Sequence, residues 1–156
     1  MSIESVKKYL KQYGKDKDVL EFAVSSATVD LASQALSIEP ARIAKTLSFK
    51  SNDEGCILLV TAGDTKINNS KFKKEFGLKA KMISSDEVLE YTGHPVGGVC
   101  PFDNPENVKV FTDISIKRFN TLYPACGSSN SAIKLTYDEI FNYSNSIKWV
   151  DVCNFQ

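Results

Sequence analysis

Short β-prone runs and amphipathic helical segments follow one another in this chain without regular alternation, an order that predicts an α+β domain with a mixed or largely antiparallel sheet. Two further observations support that class. The runs "KTLSFK" and "CILLV" flank the polar "SNDEG" in the form of a hairpin. A length of 156 residues, with 42% hydrophobic and 24% charged side chains, suits a single domain over residues 1–156 built around one core.

The elements are read in order. Ile3, Val6, Tyr9 and Leu10 recur at helical spacing in "SIESVKKYLKQYG", with Ser2 as N-cap and Gly14 as the stop. "VLEFAV" is short and apolar enough for a strand. "SSATVDLASQALSI" opens with hydroxyl residues that can cap a helix whose apolar side is Val29, Ala32, Ala35 and Leu36. Pro40 suits a helical turn leading into "KTLSFK", which places Lys45 where that turn hands over to a strand. "CILLV" is a strongly apolar strand, and "TKINNSKFKKEFG" reads as a turn and a short lysine-rich helix closed by Gly77. "KAKMIS" reads as a further strand, and "SDEVLEYTG" as a helix with acidic residues where its dipole favours them. After the loop "GHPVGGVCPF" come "NVKVFTDIS" as a strand, "IKRFNTLYPACG" as a helix or turn, "AIKLTYDEIFNYS" as strand into helix, and "IKWVDVC" as the last strand.

Composition narrows the function classes. Nineteen basic and nineteen acidic residues cancel, which argues against coating DNA or RNA through bulk charge. All the cations but Arg42 and Arg118 are lysines, so phosphate contacts would be point charges rather than bidentate forks. No run is long and apolar enough for a membrane span or a signal peptide, and a cytoplasmic protein is expected. Cys56, Cys100, Cys126 and Cys153 show no paired spacing, and the single His94 cannot complete a zinc set. The expectation is therefore free, mostly buried thiols rather than an all-thiolate zinc site, which would need the fold to gather all four.

Two places could carry chemistry. In the loop, Gly93, Gly97 and Gly98 permit close approaches while Pro95 and Pro101 stiffen the path, so several N–H groups can converge on a carboxylate, a phosphate or a developing oxyanion. A tight helix-to-strand connection would use the same residues. Lys45, among Ile43, Ala44 and Leu47, can lay its stem on apolar surface and present its ammonium to a cavity, or be one more surface lysine. Cys100 and His94 admit a thiol-hydrolase reading beside that of a small packing residue and a turn histidine. The serine elbow, the P-loop and the dinucleotide fingerprint are all absent.

Taken together, "ATVDLASQALSIEPARIAKTLSF", "ILLVTAGDTKINNSKF", "TGHPVGGVCPF" and "CGSSNSAIKLTYDEI" resemble the YbaK/EbsC family of aminoacyl-tRNA deacylases, related to the editing domain inserted in bacterial prolyl-tRNA synthetases. The resemblance covers nearly the whole chain. Its most specific parts are the lysine of "AKTL" and a G-x-x-x-P loop, Gly97 to Pro101. It implies a barrel-like sheet flanked by helices and hydrolysis of a small amino acid wrongly attached to tRNA, with tRNA-Pro the commonest setting. Catalysis is expected to lean on the substrate, through a ribose hydroxyl or a cysteine thiol, with no metal, no cofactor and no protein nucleophile. Lys45 is implied as the catalytic residue. The pocket is implied to lie against Gly97, Gly98, Val99, Cys100 and Pro101, with Gly127 and Ser128 in a second glycine turn; Phe22 and Thr28 are candidates for its wall, beside core packing for Phe22 and helix capping for Thr28. The partner the resemblance implies is the aminoacylated acceptor end of tRNA, with prolyl-tRNA synthetase as an optional second one. The alternative is a non-catalytic module of the same fold that binds tRNA or a synthetase.

Overall fold

The computed structural model describes residues 2–52, 55–95 and 97–156. Helix α1, Ser2–Lys11, buries Ile3, Val6 and Leu10, the residues whose spacing predicts it, and the chain turns at Gly14 with φ +72°. The helix starts at Ser2 itself, whose side chain lies outside the described residues. Strand β1 is confined to Leu20–Glu21, both exposed, because only Ala132 and Ser131 pair with it. Helix α2, Val29–Leu36, is capped by Thr28, whose hydroxyl accepts from the Leu31 N–H at 3.1 Å. Its exit is Ser37, in the left-handed region with φ 55°.

A short 3₁₀ turn, Pro40–Arg42, delivers the chain into β2, Ile43–Lys50, as Pro40 suggests. Strand β3, Cys56–Ala62, pairs antiparallel with it from Ala44↔Ala62 to Lys50↔Cys56, which is the expected hairpin. Asp53 and Glu54 of its loop lie outside the described residues. Every residue of β3 is buried: Leu58 and Val60 face one cluster, Ile57 and Leu59 another, so its apolar run is unbroken. The expected turn at "TKI" is instead strand β4, Thr65–Ile67. Helix α3, Asn69–Phe76, follows, with Asn68 capping the Lys71 N–H and Gly77 closing it at φ +73°. "KAKMIS" makes only one bridge, Phe49↔Met82, and no extended strand. Helix α4, Ser85–Thr92, ends at Gly93.

Strand β5, Val108–Asp113, adds parallel to β3. A 3₁₀ segment, Ile114–Arg118, then leads to β6, Thr121–Pro124, where the sequence suggested only a helix or turn. Strands β7, Ser131–Ala132, and β8, Leu135–Thr136, precede α5, Tyr137–Tyr143, which carries a full capping box between Thr136 and Glu139. The final expected strand is broken in two, β9, Trp149–Val150, and β10, Cys153–Phe155. The break occurs where the buried Asp113 carboxylate takes the Val152 N–H at 2.9 Å.

The main sheet runs β8-β6-β2-β3-β5-β9 and forms a half-barrel. It is mixed: β2–β3 and β6–β8 are antiparallel, while β2–β6, β3–β5 and β5–β9 are parallel. Its concave core gathers Val6, Leu10, Leu58, Val60, Phe102 and Ile140, and α3 covers the opposite face through Phe72 against Phe49 at 4.8 Å between ring centroids. No helix among the described residues is long and apolar enough to cross a membrane. All four cysteines are buried and free.

Candidate active site

Strand β6 pairs with β2 only at Ile43 and Ala44, and beyond that point a cavity of about 310 Å³ opens beside β2. Its walls come from segments distant in sequence. Thr28, Val29 and Ala32 belong to α2 and its cap, Lys45, Thr46 and Leu47 to β2, and Gly97 and Val99 to the glycine loop. Tyr123, Ala125 and Ala132 close the far side.

Lys45 is half-buried, and its ammonium donates a hydrogen bond to the Thr65 carbonyl at the start of β4. Burial pushes its pKa below the ordinary lysine range, against the opposing pull of Cys153 and Asp64. Asp64 is itself gripped by Arg118, Nη1 to Oδ2 at 3.0 Å, so its charge is fixed in place. β10 pairs with β4, Phe155↔Thr65, and thereby holds the carbonyl that receives Lys45. Directly across the hairpin from Lys45, the fully buried Thr61 hydroxyl has no hydrogen-bond partner among the described residues.

Of the residues the sequence nominates, Lys45, Thr28, Gly97 and Val99 share this cavity. The others lie behind or beside it. Gly98 is buried against the second glycine turn, and a Cβ there would stand 2.8 Å from the Gly127 carbonyl carbon and oxygen and 2.9 Å from the Ser128 nitrogen. Gly127 and Ser128 therefore buttress the loop rather than line the pocket. Ser128 Oγ is occupied by Asn130 Oδ1 at 3.0 Å and Ser131 Oγ at 2.8 Å. Phe22 is tied through its backbone to Asn130, donating to its carbonyl at 2.8 Å and accepting from its Nδ2 at 2.9 Å. Pro101 is buried on another side, bordering a separate cavity of about 330 Å³ with Tyr9 and Asn104. Val96 lies outside the described residues. A methyl group at position 98 would push the two glycine turns apart, and Gly98→Ala is expected to lower the deacylation rate about tenfold or more at saturating enzyme.

Cys100 and His94 do meet, Sγ to Nε2 at 3.6 Å, yet the pair is not poised for nucleophilic attack. Cys100 is fully buried, and burial pushes its thiol up to about 12. His94 Nε2 lies 2.9 Å from the Phe102 carbonyl, which can only accept, so that nitrogen carries the proton and cannot take one from the thiol. Burial also pushes the His94 pKa below its ordinary value. Cys100→Ala is accordingly expected to retain deacylation within several-fold of wild type in initial-rate assays, where a nucleophile would cost orders of magnitude.

Sequence reasoning did not reach Tyr123, Ala125, Ala132 or the Thr65 carbonyl. They arrive through long-range strand pairing and carry no local signal.

A cavity lined mostly by small side chains, with Lys45 on one wall and the glycine loop on another, has the size and mixed polarity of a site for a small polar group. The chain belongs to the aminoacyl-tRNA editing domain family, whose model matches residues 24–143. It is 50% identical over 153 residues to the Bacillus subtilis (strain 168) protein YwhH, covering 98% of each chain. It is 30% identical over 90 residues to the proline–tRNA ligase of Aquifex aeolicus (strain VF5), a match that takes in 57% of this chain and 16% of the ligase. The solved structure of a candidate trans-editing enzyme for prolyl tRNA synthetase superposes with a TM-score of 0.86 at 23% identity, over 98% of this chain and 97% of the other, and shows the same fold. Membership of this family makes the chain an aminoacyl-tRNA deacylase.

Proposed function

We propose that the chain acts in trans on tRNA, and on tRNA-Pro in particular, removing a small amino acid by hydrolysis of its ester. The observation that carries this reading is the convergence of Lys45, Gly97 and Val99 on one cavity of about 310 Å³. That volume is near the lower end for ligand pockets, which suits an aminoacyl group with a small side chain and part of the terminal ribose. The proline–tRNA ligases matched by this chain support the choice of tRNA.

In this reading Lys45 supplies positive charge to the ester oxygen as the carbonyl becomes tetrahedral. The loop at Gly97 and Val99 fixes the position of the acyl group. The nucleophile comes from water or from the substrate's own hydroxyl or thiol, and Cys100 takes no part. The need for such an enzyme follows from binding energetics. One methylene is worth only about 1–3 kcal/mol in a synthetase pocket, so smaller amino acids slip through and a second sieve must remove them.

The test is a panel of mischarged tRNAs, including alanyl, cysteinyl and seryl esters on tRNA-Pro, with ester loss followed for wild type and Lys45→Ala. Rapid loss of a small-side-chain ester with wild type alone is the expected result. Binding of tRNA in a gel shift without hydrolysis of any ester would instead assign a non-catalytic binding module.

A further inference from the structure

The cavity exposes a gap in the sheet whose chemistry goes beyond Lys45. Ser48 accepts from the Ile83 N–H at 3.1 Å, and the Lys50 N–H donates to the Lys81 carbonyl at 2.8 Å, so the peptide groups of even-numbered β2 residues point away from β3. The partner strand agrees. The Cys56 N–H reaches Asn107 O at 3.3 Å and the Ala62 N–H reaches Ser115 Oγ at 3.1 Å, so the even residues of β3 face β5. That leaves Ile57, Leu59 and Thr61 to bond Phe49, Leu47 and Lys45.

The N–H and C=O of Thr46 therefore point off the free edge of β2. On that edge β6 ends opposite Ala44, and the Ile83 contact begins only at Ser48. Among the described residues no strand pairs with Thr46 there, and Thr46 lines the cavity. A donor and an acceptor on one residue, spaced as a strand presents them, form a template for a group that carries N–H and C=O on either side of a single carbon. An α-amino acid ester has that pattern.

We propose that the Thr46 peptide binds the aminoacyl group as a one-residue antiparallel β-bridge. Its C=O accepts from the substrate's α-ammonium, and its N–H donates to the ester carbonyl oxygen. This rests on the reading of the cavity as the editing pocket. The ammonium makes a charge-assisted bond, and the N–H bond strengthens as the carbonyl oxygen gains negative charge during attack. In an antiparallel pair the two side chains lie on one face, so the amino acid's side chain lies beside that of Thr46, on the face shared with the small, buried Ala44. A free α-ammonium thus becomes part of what the enzyme recognises, independently of side-chain size.

The test uses wild type with alanyl-tRNA and with propionyl-tRNA, which lacks the α-ammonium and is otherwise the same ester. Each rate is divided by the spontaneous hydrolysis rate of that ester, to remove the ammonium's inductive effect. The corrected kcat/KM is expected to fall about 10- to 100-fold for the propionyl ester. Equal corrected rates would overturn the assignment of the Thr46 carbonyl while leaving the editing function standing, since alanyl-tRNA is still hydrolysed. Failure to hydrolyse alanyl, cysteinyl and seryl esters alike would overturn both.

Thr46→Pro tests the donor, because it deletes an N–H that β3 does not use, and proline is tolerated on a strand edge. Measured against Thr46→Ala, which keeps the peptide, it is expected to slow both esters about tenfold or more and to preserve the preference between them. A folded Thr46→Pro with the same rate as Thr46→Ala would overturn the donor role. If that variant fails to fold, the ester pair on wild type decides.

Discussion

Lys45→Ala is expected to lower deacylation of the preferred mischarged tRNA by at least about 100-fold, the scale seen when one preorganised donor to a developing oxyanion is removed. The melting temperature should stay within about 3 °C of wild type, because the side chain is half-buried and makes one hydrogen bond, to the Thr65 carbonyl. Loss of rate with retained stability separates a functional lysine from a packing one. The pH dependence adds a second signature. In the proposed mechanism Lys45 acts on the oxyanion in its ammonium form, not as the neutral amine, and burial lowers its pKa. The wild-type rate, corrected for spontaneous hydrolysis, should therefore fall as pH rises through a value below the ordinary lysine range, and with propionyl-tRNA, which has no α-ammonium of its own to titrate, Lys45→Ala should lack that alkaline limb. Undiminished hydrolysis by Lys45→Ala would remove Lys45 from the mechanism.

Gly63→Ala is expected to be more destabilising than a methyl group added at Gly14, Gly77, Gly93, Gly97 or Gly98. Gly63 lies between β3 and β4, and a Cβ there would stand 2.1 Å from the Pro40 carbonyl oxygen, 3.1 Å from its carbon and 2.9 Å from Val29 Cγ1. Two of those three contacts are with backbone, so no rotamer change relieves them. A cost of about 3 kcal/mol or more follows, lowering the melting temperature by roughly 6–12 °C in a chain of this size. Thermal unfolding measured by circular dichroism checks this. Gly77→Ala provides the comparison: its Cβ meets nothing within 4 Å, and its positive φ of +73° alone should cost about 1–2 kcal/mol. Val29 lines the cavity and Pro40 leads into β2, so Gly63→Ala should also slow hydrolysis. A variant as stable as wild type would show that Pro40 is free to withdraw.

Most elements were legible where hydrophobic period and end signals agree. Val6 and Leu10 with Gly14 mark α1, Thr28 marks the start of α2, and Asn68 with Gly77 brackets α3. β6 escaped because Pro124 and Gly127 read as turn residues, whereas the strand is short and bonds β2 at only two positions. "KAKMIS" is β-prone, but its neighbour is β2 alone and the contact is one bridge. "IKWVDVC" looks like one continuous strand because nothing local reveals that the Asp113 carboxylate captures the Val152 N–H.

The site divided along the same line. Lys45 and Gly97 stand in motifs that survive as short strings, and both reach the cavity. Cys100 and Pro101 share the loop with Gly97, yet the chain passes inward after Val99 and carries them into buried positions outside the cavity wall. The buttress of Gly98 by Gly127 is a tertiary contact that spacing cannot show.

The pairing order has a kinetic consequence. β2 and β3 are hairpin neighbours, but β5 and β6 join them in parallel only after long excursions of the chain, and the cavity borrows walls from α2, β2, the glycine loop and the segment after β6. Such closures pay loop entropy before any contact rewards it, so they come late when the chain renatures. On dilution from denaturant, ester cleavage should reappear with the slowest phase, after far-ultraviolet dichroism has recovered.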